Sequence, residues 1–255
     1  MAFVARKEQA HEACHRPDRA GNRANRQHEA KPNMTSTRDH WNTIFSSTED
    51  QELGWYEHNA RQTMEMLENV PGWNAATVFL PGAGTTVLVE ELIAHGCKLV
   101  LNDVSSEALN RLKERLGNKS HGIVWNCQDI SRPLDSGVPK VDLWVDRAVL
   151  HFLLDEGDIR GYLGNLSATL RLGGYVMFAE FSTTGAPKCA GLDLHRYSLE
   201  ELTERLGAGY TLVSHTDYTF VNPFGDPRPY VYALFHRNKI VPSPKPKGCD
   251  HEQAN

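Results

Sequence analysis

The sequence predicts an α/β fold: a doubly wound, mostly parallel sheet with helices on both faces and an antiparallel hairpin near its C-terminal end. Three observations predict it. Short apolar strand patterns alternate with helical patterns over short links, which is typical of parallel sheets. A Gly-rich turn, PGAGTT at residues 81–86, directly follows the first strand pattern. The last two strand patterns flank a turn rich in Pro and Gly, which favours a hairpin.

Each element is predicted from its own pattern. Apolar runs predict strands at residues 77–80, 98–102, 122–127, 141–145 and 175–181, and a hairpin at residues 210–220 and 230–235. Helices are predicted after the Gly-rich turn, after the N-cap Ser105, and after Ser198, which forms a capping box with Glu201. The helix before the fifth strand is expected to close at Gly173 and Gly174.

The two ends of the chain differ in composition from its centre. Residues 1–33 are polar and almost free of large apolar side chains, so we expect a disordered N-terminal extension. Residues 239–255 carry three prolines among Lys, Ser and Gly, so a disordered tail is expected there as well. The folded domain is therefore predicted at residues 34–238, and a translation start at Met34 is an alternative explanation of the N-terminal composition.

Length, charge and cysteine content narrow the function classes. The chain has 255 residues and a net charge of −5, which suits one globular domain and gives no basic surface for a nucleic acid. No stretch reaches the roughly 20 apolar residues that cross a bilayer. The five cysteines form no CxxC pair, and His195 and His215 have no partner at metal-ligand spacing, so we expect no metal site. A cytoplasmic protein is expected, and its oligomeric state stays open.

The turn at residues 81–86 is the first candidate ligand site. Its small residues let a ligand approach the backbone, and the helix that follows offers unpaired N–H groups. Asp103 ends the next strand, where an acid can accept from ribose hydroxyls, although it would also suit a helix N-terminus. Val87 stands where a dinucleotide-binding turn has its third glycine, which argues against a nicotinamide cofactor. Asp129, after the third strand, suits either an adenine contact or a simple turn.

The segment DRAVLHFL at residues 146–153 resembles the motif that follows the fourth strand in a large bacterial group of class I S-adenosylmethionine-dependent methyltransferases. Counterparts of other motifs of that group occur in the same order along residues 38–237, namely His40–Trp41, Trp55–Tyr56, LRLGGYVMFAEFS at residues 170–182, GAPKCAGL at residues 185–192 and RYS at residues 196–198. The resemblance implies the Rossmann-like, seven-stranded class I methyltransferase sheet and S-adenosyl-L-methionine as the cofactor. The residues predicted to bind this cofactor are Trp41, Trp55, Gly82, Ala83, Gly84, Thr86, Asp103, Val104, Asp129, Ile130 and Asp146.

The residues directly before and at the start of the Gly-rich turn indicate which kind of group accepts the methyl. Most class I enzymes have an acid at the end of the first strand, whereas this chain has Leu80 and then Pro81. That form is similar to the first motif of thiopurine and plant thiol methyltransferases, which also carry an element like Asp146–Arg147–Ala148. The similarity implies transfer to a small molecule, with a thiol or sulfide as the methyl acceptor. A protein lysine N-methyltransferase and a non-catalytic sensor or scaffold that binds the cofactor are the alternatives.

Three residues after the fourth strand are the predicted catalytic groups. Asp146, Arg147 and His151 lie where the transferred methyl group points in this fold, and Arg147 could stabilise a thiolate while His151 takes a proton. An ion pair between Asp146 and Arg147 is the alternative interpretation. The residues predicted to contact the acceptor are Tyr56, Arg147, His151, Arg196, Tyr197 and Phe224.

Overall fold

A computed structural model of the chain describes residues 37–238. The predictions for residues 1–33, for a start at Met34 and for residues 239–255 lie outside the described residues. The described strands are β1 (Thr77–Leu80), β2 (Lys98–Asp103), β3 (Val124–Cys127), β4 (Val141–Arg147), β5 (Leu170–Phe181), β6 (Lys188–Cys189), β7 (Leu192–Asp193), β8 (Tyr210–Val221) and β9 (Pro227–Arg237).

Helices occupy the connections between these strands. The α-helices are α1 (Thr37–Ser47), α2 (Arg61–Leu67), α3 (Leu88–Ala94), α4 (Ser106–Leu116), α5 (Glu156–Thr169) and α6 (Leu199–Leu206). Short 3-10 helices cover Asp50–Glu52, Trp73–Ala75, Gly117–Ser120, Leu150–Phe152 and Gly207–Gly209. None of the helices in the described part of the chain is long and apolar enough to span a membrane.

Seven strands form one sheet in the order β3-β2-β1-β4-β5-β9-β8. The first five strands in that order are parallel, and β9 then pairs antiparallel with both β5 and β8. The chain reverses its direction of winding between β1 and β4, so the carboxyl ends of these two strands border the crevice in which such sheets bind ligands. The predicted fold class is therefore confirmed.

Alternating side chains of the sheet build two apolar layers. Along β4, Leu143 and Val145 belong to one buried cluster, whereas Trp144 belongs to the cluster on the opposite face. This alternation follows from the pleat of a strand, which directs successive side chains to opposite faces. The same alternation decides where the two charged residues that end β4 are directed, and this matters for the site described below.

Two N-caps follow the sequence pattern closely. The Ser105 hydroxyl accepts a hydrogen bond from the Ala108 N–H at 3.2 Å, and the Ser198 hydroxyl accepts one from the Glu201 N–H at 3.2 Å. Such caps satisfy amide groups that the first helical turn leaves unpaired. The Glu201 carboxylate is turned toward His195, so the reciprocal half of the predicted capping box is replaced by a side-chain pair.

The predicted end of α5 at Gly173 and Gly174 is wrong. The helix ends at Thr169, and β5 begins at Leu170, so both glycines lie within the strand. A Cβ on Gly174 would lie 2.8 Å from the Asp142 carbonyl oxygen, which shows that glycine is needed there for close contact between strands. The pairing of β4 with β5 is irregular at the same place, between Val141 and Leu143.

Candidate active site

A cavity opens at the carboxyl ends of β1, β2 and β4. Its empty space is about 1310 Å³ including its open mouth, which is ample for a nucleoside-sized ligand. Thirteen of the predicted site residues line it, namely Trp41, Trp55, Tyr56, Gly82, Ala83, Gly84, Thr86, Asp103, Val104, Asp129, Ile130, Arg147 and His151. The predicted residues that the cavity brings together thus come from six separate segments of the chain.

The Gly-rich turn forms the floor of the cavity. Gly82 and Gly84 have φ angles of +50° and +52°, a region that side chains with a Cβ rarely adopt. A Cβ on Gly82 would lie 2.4 Å from Cγ2 of Val149, and a Cβ on Gly84 would lie 3.3 Å from Cζ of Phe45. Glycine is therefore required at Gly82 both by the backbone conformation and by the neighbouring wall.

Asp103 connects the Gly-rich turn to the start of α4. One carboxylate oxygen accepts the Gly84 N–H at 2.8 Å, and the other accepts the Ser105 N–H at 2.8 Å. Burial raises the pKa of Asp103 to about 6, although the backbone N–H groups act against this shift. Each oxygen keeps a lone pair for a further donor, so the carboxylate can both hold the turn and accept from hydroxyl groups in the cavity.

Asp129 and Ile130 border the far end of the same cavity. Oδ1 of Asp129 accepts from the backbone N–H and the hydroxyl of Ser131, both at 2.8 Å, so the turn interpretation of this residue is correct. Oδ2 has only a 3.9 Å contact with Arg132, which is too long for a hydrogen bond. Because Asp129 also lines the cavity, its second oxygen remains able to accept from a ligand.

Aromatic rings form one wall of the cavity. Trp41 lies 5.6 Å from Trp55 and 5.0 Å from Phe152, measured between ring centroids, and both contacts are edge-to-face. Phe45 completes this cluster at 6.1 Å from Trp55. The rings therefore do two things at once: they pack the N-terminal segment onto the domain, and they present π faces to the cavity.

Arg147 joins this N-terminal segment to the end of β4. Its guanidinium lies 2.9 Å from a carboxylate oxygen of Glu57, donates to the Trp55 carbonyl at 3.3 Å, and stacks over Phe220 and Tyr230. The side chains of Arg147 and Glu57 are each 11% exposed. The predicted ion pair between Asp146 and Arg147 is therefore wrong, because the strand pleat directs the two side chains to opposite faces.

Asp146 lies beneath the cavity and is not among the residues that line it. It is fully buried, and its carboxylate accepts from the backbone N–H groups of Val149 and Leu150, each at 3.1 Å, and from the Tyr162 hydroxyl at 2.6 Å. A direct contact with cofactor or acceptor, as predicted, does not fit this position. Its place under the turn makes Asp146 a group that shapes the site from below.

Three predicted acceptor contacts lie away from the main cavity. The guanidinium of Arg196 donates to the carbonyls of Thr183 and Gly185, and Tyr197 is fully buried in the core. Phe224 is 67% exposed at the hairpin tip, where it borders a smaller cleft that shares Trp55 with the main cavity. The charge and aromaticity of these residues suggested binding, but the segments between the strands place them elsewhere.

The sequence prediction missed several residues that line the cavity. Glu57, Phe152, Cys189 and Tyr230 are among them. Glu57 directly follows the predicted Trp55–Tyr56 element, so its position could have been inferred. A fifth residue, Glu180, carried a clear signal, because a single acid inside the apolar strand VMFAEF must be buried and therefore paired.

Among residues 37–238, no group of His, Cys, Asp and Glu side chains is arranged to hold a metal ion. The cysteines in this part of the chain, Cys97, Cys127 and Cys189, are all free thiols. Burial raises the pKa of the Cys189 thiol. A thiolate at Cys189 is therefore disfavoured, which agrees with the low reactivity expected from its sequence surroundings.

Comparison with known proteins shows what parts of the chain resemble. A family model described as a methyltransferase domain matches residues 81–176. Nodulation protein S of Rhizobium tropici is 30% identical over 122 residues, 48% of this chain, and the chain spans about half (49%) of the length of that curated relative.

Solved structures share the whole sheet. N-methyltransferase NodS of Bradyrhizobium japonicum, in complex with S-adenosyl-L-homocysteine, has a TM-score of 0.58 at 18% identity, covering 79% of this chain and all (100%) of that one. A structure from work on the conversion of a disulfide bond into a thioacetal group during echinomycin biosynthesis has a TM-score of 0.63 at 16% identity, covering 80% of this chain and 92% of that one. Residues 81–176 therefore match the model of a methyltransferase domain, and the chain has the fold of class I S-adenosylmethionine-dependent methyltransferases.

Proposed function

We propose that this protein binds S-adenosyl-L-methionine in the cavity at the ends of β1, β2 and β4 and catalyses transfer of its methyl group to a small molecule. One observation carries the proposal: the Gly82–Gly84 turn and the Asp103 carboxylate, which are separate in sequence, are hydrogen-bonded to each other at the floor of one cavity. The family match and the complex of the relative NodS with S-adenosyl-L-homocysteine support the choice of cofactor.

The residues present fit this cofactor. The Gly-rich turn leaves a cradle that a Cβ would fill, Asp103 keeps lone pairs for ribose hydroxyls, and Oδ2 of Asp129 can accept from an adenine amino group. The aromatic wall of Trp41 and Trp55 suits a cationic sulfonium. When bound, the cofactor supplies an electrophilic methyl group on that sulfonium.

The chain's own contribution to such a reaction is alignment. Holding an acceptor in line with the methyl group can supply about 7–11 kcal/mol of the barrier without any acid or base. Tyr56, Arg147 and Tyr230 form the part of the cavity wall beyond the Gly-rich turn, where an acceptor would lie. The charge of Arg147 is matched there by Glu57, so this wall favours a neutral acceptor over an anion.

We propose a thiol or sulfide as the acceptor atom. The Leu80–Pro81 lead-in and the Asp146–Arg147–Ala148 element, both similar to thiol methyltransferases, support sulfur. The relative connected with conversion of a disulfide into a thioacetal also involves sulfur chemistry. A nitrogen acceptor is the second candidate, because the solved NodS relative is an N-methyltransferase.

The experiment is an acceptor screen with purified protein. The protein is incubated with S-adenosylmethionine labelled in its methyl group and with small thiols, amines and phenols, and labelled products are separated by chromatography. Labelled thioethers would support sulfur, and transfer to amines alone would contradict it in favour of nitrogen. Label on a protein band of a cell lysate would favour the lysine methyltransferase, and cofactor binding without any product would favour the sensor.

A further inference from the structure

A network of four buried polar side chains lies under the end of the cavity where we expect the acceptor to bind. The Tyr162 hydroxyl donates to Oδ2 of Asp146 at 2.6 Å, and the charge of the neighbouring Glu180 carboxyl acts on Asp146. Oε2 of Glu180 lies 2.7 Å from Nδ1 of His151. All four residues are fully buried. Burying so many polar groups in a core costs free energy, and this cost indicates that the network has a function.

His151 is the only one of these four residues that also lines the cavity. When Glu180 is ionised, its contact with Nδ1 at 2.7 Å places the ring proton on Nδ1, because a carboxylate accepts and does not donate. The Phe181 N–H also points at Nδ1, but at 3.5 Å this contact is too long to compete. Nε2, on the other side of the ring, is buried and has no hydrogen-bond partner among the described residues. The nitrogen with the free lone pair is therefore the one left to meet a bound acceptor.

Burial determines which groups of this network are charged. The pKa of Asp146 is raised well above its usual value by burial and by the charge of Glu180. Burial raises the pKa of Glu180 to about 8 and lowers that of His151 to about 3. His151 is therefore neutral in the free protein, and Glu180 becomes a carboxylate as the pH rises through about 8. The other titratable groups whose charges act on these three are Arg147, Tyr162, Tyr197 and Tyr230.

We propose that His151 is the general base of the methyl transfer, that Glu180 is its positioning residue, and that the acceptor is a neutral thiol or hydroxyl that loses its proton during transfer. The inference rests on the proposed function and narrows its substrate class. Asp146 then acts from beneath by staying protonated beside Glu180.

The step balances as follows. The acceptor's proton moves to Nε2 of His151, and the electron pair left on the acceptor atom forms the new bond to the methyl carbon. The old carbon–sulfur bond breaks, and its electron pair stays on the sulfur of the leaving S-adenosyl-L-homocysteine. The imidazolium formed on His151 is stabilised by the Glu180 carboxylate at Nδ1 and releases its proton to water after the products leave.

Two thiols of different acidity test whether His151 acts as a general base. 4-Nitrothiophenol is ionised at neutral pH and needs no base, whereas benzyl mercaptan is mostly protonated and does. We expect His151→Gln to lower kcat/KM for benzyl mercaptan by about 100-fold or more and to leave 4-nitrothiophenol nearly unaffected. Glu180→Gln should lower kcat/KM for benzyl mercaptan by about tenfold or more and also change the pH profile of that reaction. A loss of equal size on both thiols would overturn the proposal.

Glu201→Gln is the matched control. Glu201 also pairs with a histidine, His195, at 2.7 Å, but neither residue lines the cavity. We expect this variant to behave like the unchanged protein with both thiols. Retained binding of S-adenosyl-L-homocysteine by His151→Gln and Glu180→Gln would show that both variants are folded.

Nitrogen NMR of the histidine rings gives a readout without turnover. In the unchanged protein above about pH 8, where Glu180 is ionised, we expect the His151 signal, assigned by its absence from His151→Gln, to be that of a neutral ring protonated at Nδ1. In Glu180→Gln that tautomer should lose its preference. A ring protonated at Nε2 in the unchanged protein would overturn the proposal. If neither thiol is methylated, the sulfur acceptor fails, while the tautomer still decides whether Glu180 positions His151.

Discussion

Asp103 has two tasks that are usually described separately: it holds the Gly-rich turn and it faces the cavity. Each of its oxygens already accepts one backbone N–H, at 2.8 Å, so the carboxylate is fixed before any ligand arrives. Such fixed groups lower the cost of ordering on binding. The helix N-terminal interpretation of Asp103 and the ribose interpretation are thus compatible within one geometry.

We predict that the affinity for S-adenosyl-L-homocysteine falls as the pH drops below about 6. The pKa of Asp103 is raised to about 6, and only its ionised form can accept from hydroxyls with both oxygens. Binding therefore favours the deprotonated form and weakens once protons compete for it. Isothermal titration calorimetry between about pH 5 and pH 8 measures this dependence.

Asp103→Asn provides the comparison for this prediction. Losing charge-assisted hydrogen bonds of about 1.5–3 kcal/mol each should weaken binding by about 100-fold, and the remaining affinity should no longer change with pH over this range. If the Asp103→Asn variant kept the full pH dependence, the titration would have to be assigned to another group.

Sequence reasoning succeeded at some residues and failed at others for identifiable reasons. Asp103 was predicted because a strand end next to a Gly-rich turn has one geometry in this fold. Asp146 was predicted to reach the ligand because the motif gives order along the chain but not the face of the strand. Glu180 and Glu57 were missed as site residues because their importance depends on the partners His151 and Arg147, which lie far away in sequence.

The turn after β1 and the turn after β4 are packed as one unit. Val149 closes over Gly82, and the residue before it, Ala148, has a φ angle of +67°, which is rare for a residue with a side chain. The Ala148 N–H donates to the Ala179 carbonyl at 2.9 Å, which holds this conformation in place. Strain of this kind is typical of functional sites.

We predict that Gly82→Ala weakens cofactor binding by about tenfold or more and destabilises the fold by about 1–3 kcal/mol. The new Cβ would meet Val149 at 2.4 Å in a backbone region that disfavours it. Adding Val149→Ala should restore part of the loss, since it removes the contact but not the φ angle. Calorimetric titration and urea unfolding measure the two effects.

Gly137→Ala is the matched control, because a Cβ there meets no atom within 4 Å and its φ angle is not positive. An equal loss in Gly137→Ala and Gly82→Ala would show that the turn has no special role.

At the element level, the sequence predicted nearly every strand, because each is a short apolar run with a clear end. The boundary at Leu170 was mistaken because a pair of glycines, Gly173 and Gly174, usually ends a helix. Here these glycines lie where the pairing of β4 with β5 is irregular. The strand pairing that decides between the two uses is long-range and leaves no local mark in the sequence.

Considered as a whole, the described molecule is a sheet with one cavity whose wall comes from a segment outside the sheet. Helix α1 is attached to α4 by Arg111, which donates to the carbonyls of Phe45 and Thr48 and pairs with Asp50 at 2.9 Å. Asn42 adds a hydrogen bond from the Ser105 hydroxyl at 2.7 Å. These few polar contacts hold the aromatic wall in position.

We predict that Arg111→Ala loosens α1 while leaving the sheet intact. Removing the guanidinium leaves two carbonyls without their donor and leaves Asp50 paired with Arg115 alone. Residues 37–47 should therefore lose protection in hydrogen exchange, and cofactor affinity should fall by about tenfold. Arg61→Ala, which removes an exposed pair with Glu65, should change neither quantity. Loss of protection throughout the sheet would contradict a local role for Arg111.

The order of the strands also bears on how the protein is made. Strand β9 is the last strand in the described chain, yet it lies inside the sheet, between β5 and β8. During synthesis, β8 leaves the ribosome first and has no partner until Pro227–Arg237 follows it. Tyr230, at the acceptor end of the cavity, belongs to this final strand. The cavity is therefore completed only after Pro227–Arg237 has been synthesised, and we expect chains that stop before Pro227 to leave an unpaired sheet edge that recruits chaperones or aggregates.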